Sequence, residues 1–362
     1  MANERDLHIA TGLPLSLINY PSYLVLYVTD RCDMKCSFCF NKPERDIKNS
    51  EPSLEQLGTL AQSTGKLFEL LISGGEPFLR KDLGEILISF IRKAAPSIIA
   101  IPTHGGHPLR IERVLNMVFD YAPEQRLHLN LSIDAIGEEH DQIRGSKGLI
   151  ERIIETRKRV GKIAEKHKNL FIGINTVIGD FNRDNLRPLV QWCQENLQPD
   201  VHHIGLDRNV MISAPVPEVL AEYQRIEDAL IDIGGKPHGM EGALYQAGCE
   251  HLVDSIPFKK PALGCSAGRR LITITSQGDV YPCEAFWLNP EDYTRFDQTK
   301  MGNLNDFAWN LSRLMATPES KDIAKKISAG QCGCLWECAL FASVLFTPRG
   351  WGKILSCRLP EK

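Results

Sequence analysis

No run of eighteen consecutive apolar residues occurs in the chain, which excludes an ordinary membrane-spanning helix. The N-terminus, MANERDLHIATGLPLSLINYPSYLVLYVT, lacks the basic start, unbroken apolar segment and small-residue cleavage site of a secretory signal. There is no low-complexity tract, and no internal repeat beyond an alternation of strand-like and helix-like segments. Net charge is also close to zero, at -3, so no global attraction to nucleic acid exists. The expectation is a soluble, cytoplasmic protein with no membrane insertion and no nucleic-acid partner. At 362 residues, 43% apolar and 24% charged, it has enough sequence for one large domain and a smaller one.

Cysteine is not scarce: there are eleven. In a reducing compartment these read as metal ligands, reactive thiols or buried apolar residues rather than disulfides. Their clustering favours metal. The stretch TDRCDMKCSFCFNK places Cys32, Cys36 and Cys39 within eight positions and supplies no fourth protein ligand, as zinc normally requires.

The first two hundred residues alternate short β-branched runs with longer helical patterns, which predicts βα units and a parallel sheet. Six strands are expected at residues 23 to 29, 67 to 73, 97 to 103, 127 to 134, 170 to 178 and 201 to 206. Crossover helices begin near Leu54, Lys81, Pro108, Ser146 and Asp184. Polar and Gly-rich residues follow the strand ends: the cysteine stretch, Gly74-Gly75-Glu76-Pro77, Thr103-His104-Gly105, and Ser132 with Asp134. In a closed or partly closed βα barrel those ends share one face, so distant segments line one cavity. Read singly, Gly-Gly is also a turn and Asp134 a helix cap.

Together these motifs resemble the radical S-adenosylmethionine (SAM) superfamily. Cys32-x3-Cys36-x2-Cys39, with aromatic Phe38 before the third cysteine, resembles its cluster-binding motif, and SGGEPFLR resembles its GGEP motif. The resemblance implies a partial (β/α)6 TIM-like barrel and a [4Fe-4S] cluster on Cys32, Cys36 and Cys39 whose fourth iron is left for SAM. It implies cofactor contacts from Phe38, Gly74, Gly75, Glu76, Pro77, Thr103, Ser132, Asp134, Arg144, Asn175 and Leu206, with Gly173 allowing close approach. His140 and Asp141 read instead as helix-capping or Arg144-ordering residues. His104 stands where many relatives have asparagine, which leaves its contact open between packing, hydrogen bonding and proton exchange.

The C-terminal region offers Cys265-x12-Gly278-x4-Cys283, with a hairpin expected at SQGD, then Cys332, Cys334 and Cys338 in CGCLWEC. This resembles the auxiliary-cluster module called SPASM, or its shortened twitch form. It implies a second [4Fe-4S] cluster held by Cys265, Cys283, Cys338 and either Cys332 or Cys334, with structural zinc as the alternative. Cys357 reads as a terminal buried cysteine or an extra ligand, and Cys193 as core. The expected organisation is an extension at 1–20, the barrel at 21–210, a helical linker or lid at 211–260 and the cluster module at 261–362.

By this resemblance the protein is an enzyme that cleaves SAM reductively and abstracts hydrogen from a substrate, fed by a one-electron donor such as flavodoxin or ferredoxin. An auxiliary cluster supports net oxidation. Asp207 is the candidate proton acceptor and Cys249 the candidate hydrogen donor if the outcome is epimerisation. Arg208 is a candidate anion anchor, and strand alternation sends only one of His202 and His203 into the cavity. About twenty residues precede the first strand, leaving no room for a leader-recognition domain. The expected substrate is therefore a small polar metabolite, such as a sugar or nucleotide-linked compound. The alternatives are a ribosomally made peptide, with a separate recognition partner, and a nonenzymatic iron-sulfur electron carrier.

Overall fold

The computed structural model describes residues 21–40, 51–208, 215–232, 239–258, 261–288, 296, 298–332 and 335–358. Six strands, β1 (Tyr23–Tyr27), β2 (Glu69–Ser73), β3 (Ile98–Thr103), β4 (Arg126–Ser132), β5 (Leu170–Ile178) and β6 (Val201–Leu206), pair in parallel in sequence order. Parallel neighbours need long crossovers. Helices α1 (Leu54–Thr64), α2 (Leu83–Ala94), α3 (Pro108–Tyr121), α4 (Glu138–Arg144), α5 (Leu149–Lys166) and α6 (Leu186–Asn196) provide them. All six expected strands are present, within two residues at each boundary. The short helix α4 was not anticipated.

Alternation along each strand divides the sheet into two faces. Leu127, Leu129 and Leu131 of β4 and Ile172 and Ile174 of β5 are buried on the helix-facing side with Ile111, Leu115 and Ile153. The opposite, inner face carries Arg126, His128, Asn130 and Ser132 of β4. In the parallel register Asn130 lies beside Gly173, and Ser132, Asn175 and His203 form one row across β4, β5 and β6. This makes the inner face polar.

The chain continues through α7 (Val216–Asp232) and α8 (Gly239–Ser255) to β7 (Leu271–Ile274), which pairs in parallel with β1 on the edge away from β2. Strands β8 (Asp279–Tyr281) and β9 (Gly302–Asn303) then add antiparallel, giving one nine-stranded sheet. The C-terminal region is thus joined to the barrel sheet through β7. β7, LITI, is buried at every position, as a strand covered on both faces must be. The β7–β8 turn falls at the expected SQGD, where Gly278 takes φ 81°. After α9 (Glu284–Leu288), α10 (Leu311–Met315) and α11 (Pro318–Ser328), helices α12 (Glu337–Phe346) and α13 (Pro348–Arg358) pack with α8 through Ala243, Ala247, Val344, Trp351 and Ile354. These helices stand over the inner face at β6: Tyr245 meets His203 with ring centroids 5.4 Å apart, and a Cβ on Gly205 would lie 3.1 Å from the Glu337 carboxylate.

Candidate active site and cluster-binding residues

The cysteine loop leaves β1 and is held by backbone from the next strand. Gly75 N–H donates to the Thr29 carbonyl at 2.9 Å and Glu76 N–H to the Arg31 carbonyl at 2.8 Å. This close approach is why two glycines stand here: a Cβ on Gly74 would lie 2.2 Å from Thr29 O, and one on Gly75 2.2 Å from Arg31 O. The glycines therefore make room for the loop itself. Arg80, buried and not singled out from sequence, donates to the Val28 carbonyl at 2.8 Å and the Pro52 carbonyl at 2.6 Å, and pairs with Asp82. On the other flank Lys35 N–H donates to the Arg144 carbonyl, and Phe38 lies between Phe181, stacked at 4.8 Å, and the Arg144 guanidinium at 5.3 Å.

Cys32, Cys36 and Cys39 are each half-buried. Burial pushes the Cys32 thiol up to about 12 and raises Cys36, the latter opposed by the nearby Arg144 charge. Metal ligation requires thiolate, so an incoming cluster must displace these protons, which the iron–thiolate bond does. An all-thiol set of three in a partly apolar setting suits iron-sulfur coordination.

Glu76, 1% exposed, is the centre of a donor array. Its Oε1 accepts from Thr103 Oγ1 at 2.8 Å and Phe78 N–H at 3.1 Å, and its Oε2 from His104 N–H at 3.0 Å. Pro77 opens the short 3-10 turn Pro77–Leu79 that carries Phe78. His104 Nε2 approaches both Asp33 Oδ1, at 2.9 Å, and Glu76 Oε2, at 3.2 Å, while His107 Nε2 lies 3.1 Å from Asp33 Oδ2. The hydrogen bond with His104, together with the neighbouring His107 imidazole, holds the Asp33 carboxyl well below the usual carboxylate range.

Asp134 and Arg144 come together as a buried pair, with guanidinium nitrogens 2.7 and 2.6 Å from Asp134 Oδ2. Asp134 Oδ1 accepts from Val177 N–H at 3.0 Å, and its side chain is fully buried. The pair therefore braces the cysteine loop, since Arg144 reaches Phe38 from it. Asp141 accepts from the backbone N–H groups of Gly148, Leu149 (2.9 Å) and Ile150 (3.1 Å), capping α5, and His140 Nδ1 accepts from Asp134 N–H. Both follow the capping and ordering reading.

Ser132 and Asn175 share the inner-face row with His203, while Asn130 packs its amide over Gly173, where a Cβ would lie 2.2 Å from Asn130 Oδ1. Gly173 thus admits a neighbouring side chain. Of the two histidines only His203 faces inward; His202 is buried outward against Thr176 at 2.8 Å. Leu206 does not join the set. Its register partner is Ile178, and its buried side chain packs on the helix side with Ile178, Leu186 and Val190, because it is one residue out of phase with inward-facing Gly205. Asp207 follows β6 half-buried, its N–H bonded to the Ile178 carbonyl. Arg208 pairs with Glu337 at 2.9 Å and covers the Trp336 ring at 4.4 Å. Cys249, half-buried, lies one helical turn from Tyr245, whose hydroxyl is raised by burial and by the adjacent thiol.

In the C-terminal region Cys265 precedes β7, Cys283 follows β8, and Cys332 and Cys338 bracket the start of α12. Cys283 and Cys332 are buried in the main core cluster, with Cys265 and Cys338 packed against it; Cys334 lies outside the described residues. Burial, reinforced by Glu284, raises the Cys338 thiol. Glu284 accepts from Tyr27 Oη at 2.5 Å and Trp336 Nε1 at 3.0 Å, so one carboxylate joins β1 to the segment before Cys338. Neither this network nor the His104 contacts were visible in the sequence. Cys357 lies apart, its Sγ 3.5 Å from Glu250, and Cys193 is core.

Comparison with known proteins agrees with this arrangement. The radical SAM superfamily profile matches residues 26–193, and that of the SPASM iron-sulfur cluster-binding domain matches residues 265–338, from Cys265 to Cys338. A PqqA peptide cyclase of Xanthomonas euvesicatoria pv. vesicatoria is 27% identical over 322 residues, covering 82% of this chain and 76% of the cyclase. A pre-heme d1 synthase of Dinoroseobacter shibae is 26% identical over 196 residues, covering 52% of this chain and only 42% of the synthase. Streptococcus suis SuiB, solved bound to the precursor peptide SuiA, superposes with a TM-score of 0.58 at 20% identity, covering 91% of this chain and 73% of SuiB. The chain is therefore a radical SAM superfamily enzyme with a partial barrel and a C-terminal SPASM-type auxiliary iron-sulfur domain.

Proposed function

We propose that the enzyme abstracts hydrogen from a residue of a peptide, using a [4Fe-4S] cluster on Cys32, Cys36 and Cys39 and a second on Cys265, Cys283, Cys338 and either Cys332 or Cys334. When bound and reduced by a flavodoxin or ferredoxin, the first cluster would supply the one electron that splits SAM into methionine and a 5'-deoxyadenosyl radical. The protein's own task is to orient the cofactor and one C–H bond and to exclude other hydrogen donors. Glu76, with its fixed donor array, meets the cofactor amine. Thr103 and the Asp134–Arg144 pair hold the surrounding loops. Ser132 and Asn175 line the inner face beside it.

The observation that carries the peptide reading is the extent of the matches. The peptide cyclase and the peptide-bound protein match 82% and 91% of this chain, whereas the pre-heme d1 synthase matches 52%. This favours a peptide over the small polar metabolite expected from sequence. Asp207, at the end of β6, is the proposed proton acceptor in an oxidation whose electron the second cluster would take. Cys249, beside Tyr245, is the proposed hydrogen donor in an epimerisation.

The test uses reconstituted enzyme, SAM, reductant and perdeuterated extract split into peptide and metabolite fractions. Deuterium is expected in 5'-deoxyadenosine from the peptide fraction, and to disappear after that fraction is digested with protease. Transfer only from the metabolite fraction, insensitive to protease, would restore the small-molecule reading.

A further inference from the structure

We propose that His104 is a positioning residue that ties the cysteine loop to the Glu76 carboxylate, setting where the cofactor amine lies relative to the first cluster. The proposal rests on the reading that Cys32, Cys36 and Cys39 hold that cluster and that Glu76 meets the amine.

The ring's protonation follows from its contacts. Gly106 N–H donates to His104 Nδ1 at 2.9 Å, so Nδ1 presents its lone pair and the ring proton sits on Nε2. That Nε2–H faces two carboxylates, Asp33 at 2.9 Å and Glu76 at 3.2 Å. The His104 side chain is only 3% exposed and that of Glu76 1%, so the ring and Glu76 are shielded from water, whereas the Asp33 carboxylate reaches the surface. Asp33 directly follows Cys32, and its other oxygen meets His107. One imidazole therefore fastens the third strand's end to the cysteine loop and to Glu76 at once. Its backbone N–H also donates to Glu76, so ring and main chain move with the carboxylate together.

Asp33, His104 and His107 also place three potential metal-ligand atoms within 4.8 Å of one another. The tautomer argues against a metal there. To ligate through Nε2, His104 would have to carry its proton on Nδ1, against the Gly106 N–H. A hydrogen-bonded clamp uses both nitrogens as they stand.

The test compares two variants of the loaded enzyme. Glutamine places an amide N–H near the position of Nε2, whereas asparagine reaches only as far as Nδ1. His104→Asn is expected to keep parental iron content and thermal stability. It should weaken SAM binding roughly ten-fold, the cost of about one charge-assisted hydrogen bond, and diminish the SAM-induced change in the EPR spectrum of the reduced cluster. His104→Gln should recover most of both. Equal SAM affinity and spectra in parent and both variants would overturn the proposal. So would equal loss of iron and stability in both variants, which marks a purely structural role. Uptake of one Co2+ by loaded enzyme, abolished in His107→Ala, would replace the clamp with a metal site. If the parent itself shows no SAM-induced change, the cluster reading fails and the proposal with it.

Discussion

Gly75 has its Cα against the carbonyl of Arg31, and the space a methyl group would need is filled by that backbone. Backbone cannot swing aside as a long side chain does, so Gly75→Ala must displace the cysteine loop. The expected outcome is a folded protein that loses the first cluster and keeps the second, with iron falling from about eight to about four per chain. Iron and sulfide analysis of anaerobically reconstituted protein, with circular dichroism to check the fold, decides this. Retention of all the iron would show that the loop tolerates the shift. The Gly-Gly pair was legible in the sequence, but its partner was not, because which carbonyl it meets depends on the pairing of β1 with β2. The same limit applies to His104: the residue stood out, whereas Asp33 and Glu76 become its partners only when three strand ends meet.

At the scale of elements, the parallel strands were legible because each is a short β-branched run between turn residues, and β5 and β6 have the expected limits. Helix α4 escaped because seven residues carry less than two turns of apolar period. It is held instead by tertiary contacts, with Arg144 at its end paired to Asp134. Asp141, in the same helix, caps α5 across the intervening turn by accepting from three backbone N–H groups. Asp141→Ala leaves those donors without their acceptor, at a cost of about 1–2 kcal/mol. The urea midpoint should fall accordingly with little change in m-value. Because Arg144 lies one turn from Asp141, the variant should also weaken SAM-dependent turnover more than an exposed control such as Glu139→Ala. Equal effects of the two substitutions would remove the link between the cap and the site.

Over the whole molecule, one sheet carries both cluster regions, and the pairing of β1 with β7 is what no periodicity reveals: an apolar strand does not state which edge it joins. The same sheet buries neutral histidines in its layers, and these make stability depend on pH. Burial lowers His202 and His140 from the ordinary 6.5 to about 3, assisted by His203 for the first and by Arg144 for the second. Their hydrogen bonds agree. Thr176 donates its hydroxyl to the Ile133 carbonyl and so accepts from His202 Nε2–H, leaving Nδ1 with no partner among the described residues. His140 Nδ1 receives the Asp134 N–H, so a second ring proton would point at a donor. Because the unfolded chain protonates each near 6.5 and the folded chain only near 3, the unfolded state binds more protons throughout that interval. Stability is therefore full above pH 6.5 and declines as pH falls towards 3, by about 2 kcal/mol per histidine at pH 5. Between pH 7 and pH 5 this pair should contribute a loss of about 4 kcal/mol to the urea unfolding of cluster-free protein, added to that from His128, His203 and His251, which burial also lowers. His202→Gln, which keeps a donor near Thr176 but does not titrate, should lessen the pH-dependent loss by about 2 kcal/mol while lowering stability at pH 7 only modestly. An unchanged pH dependence in that variant would mean that His202 titrates normally in the folded protein.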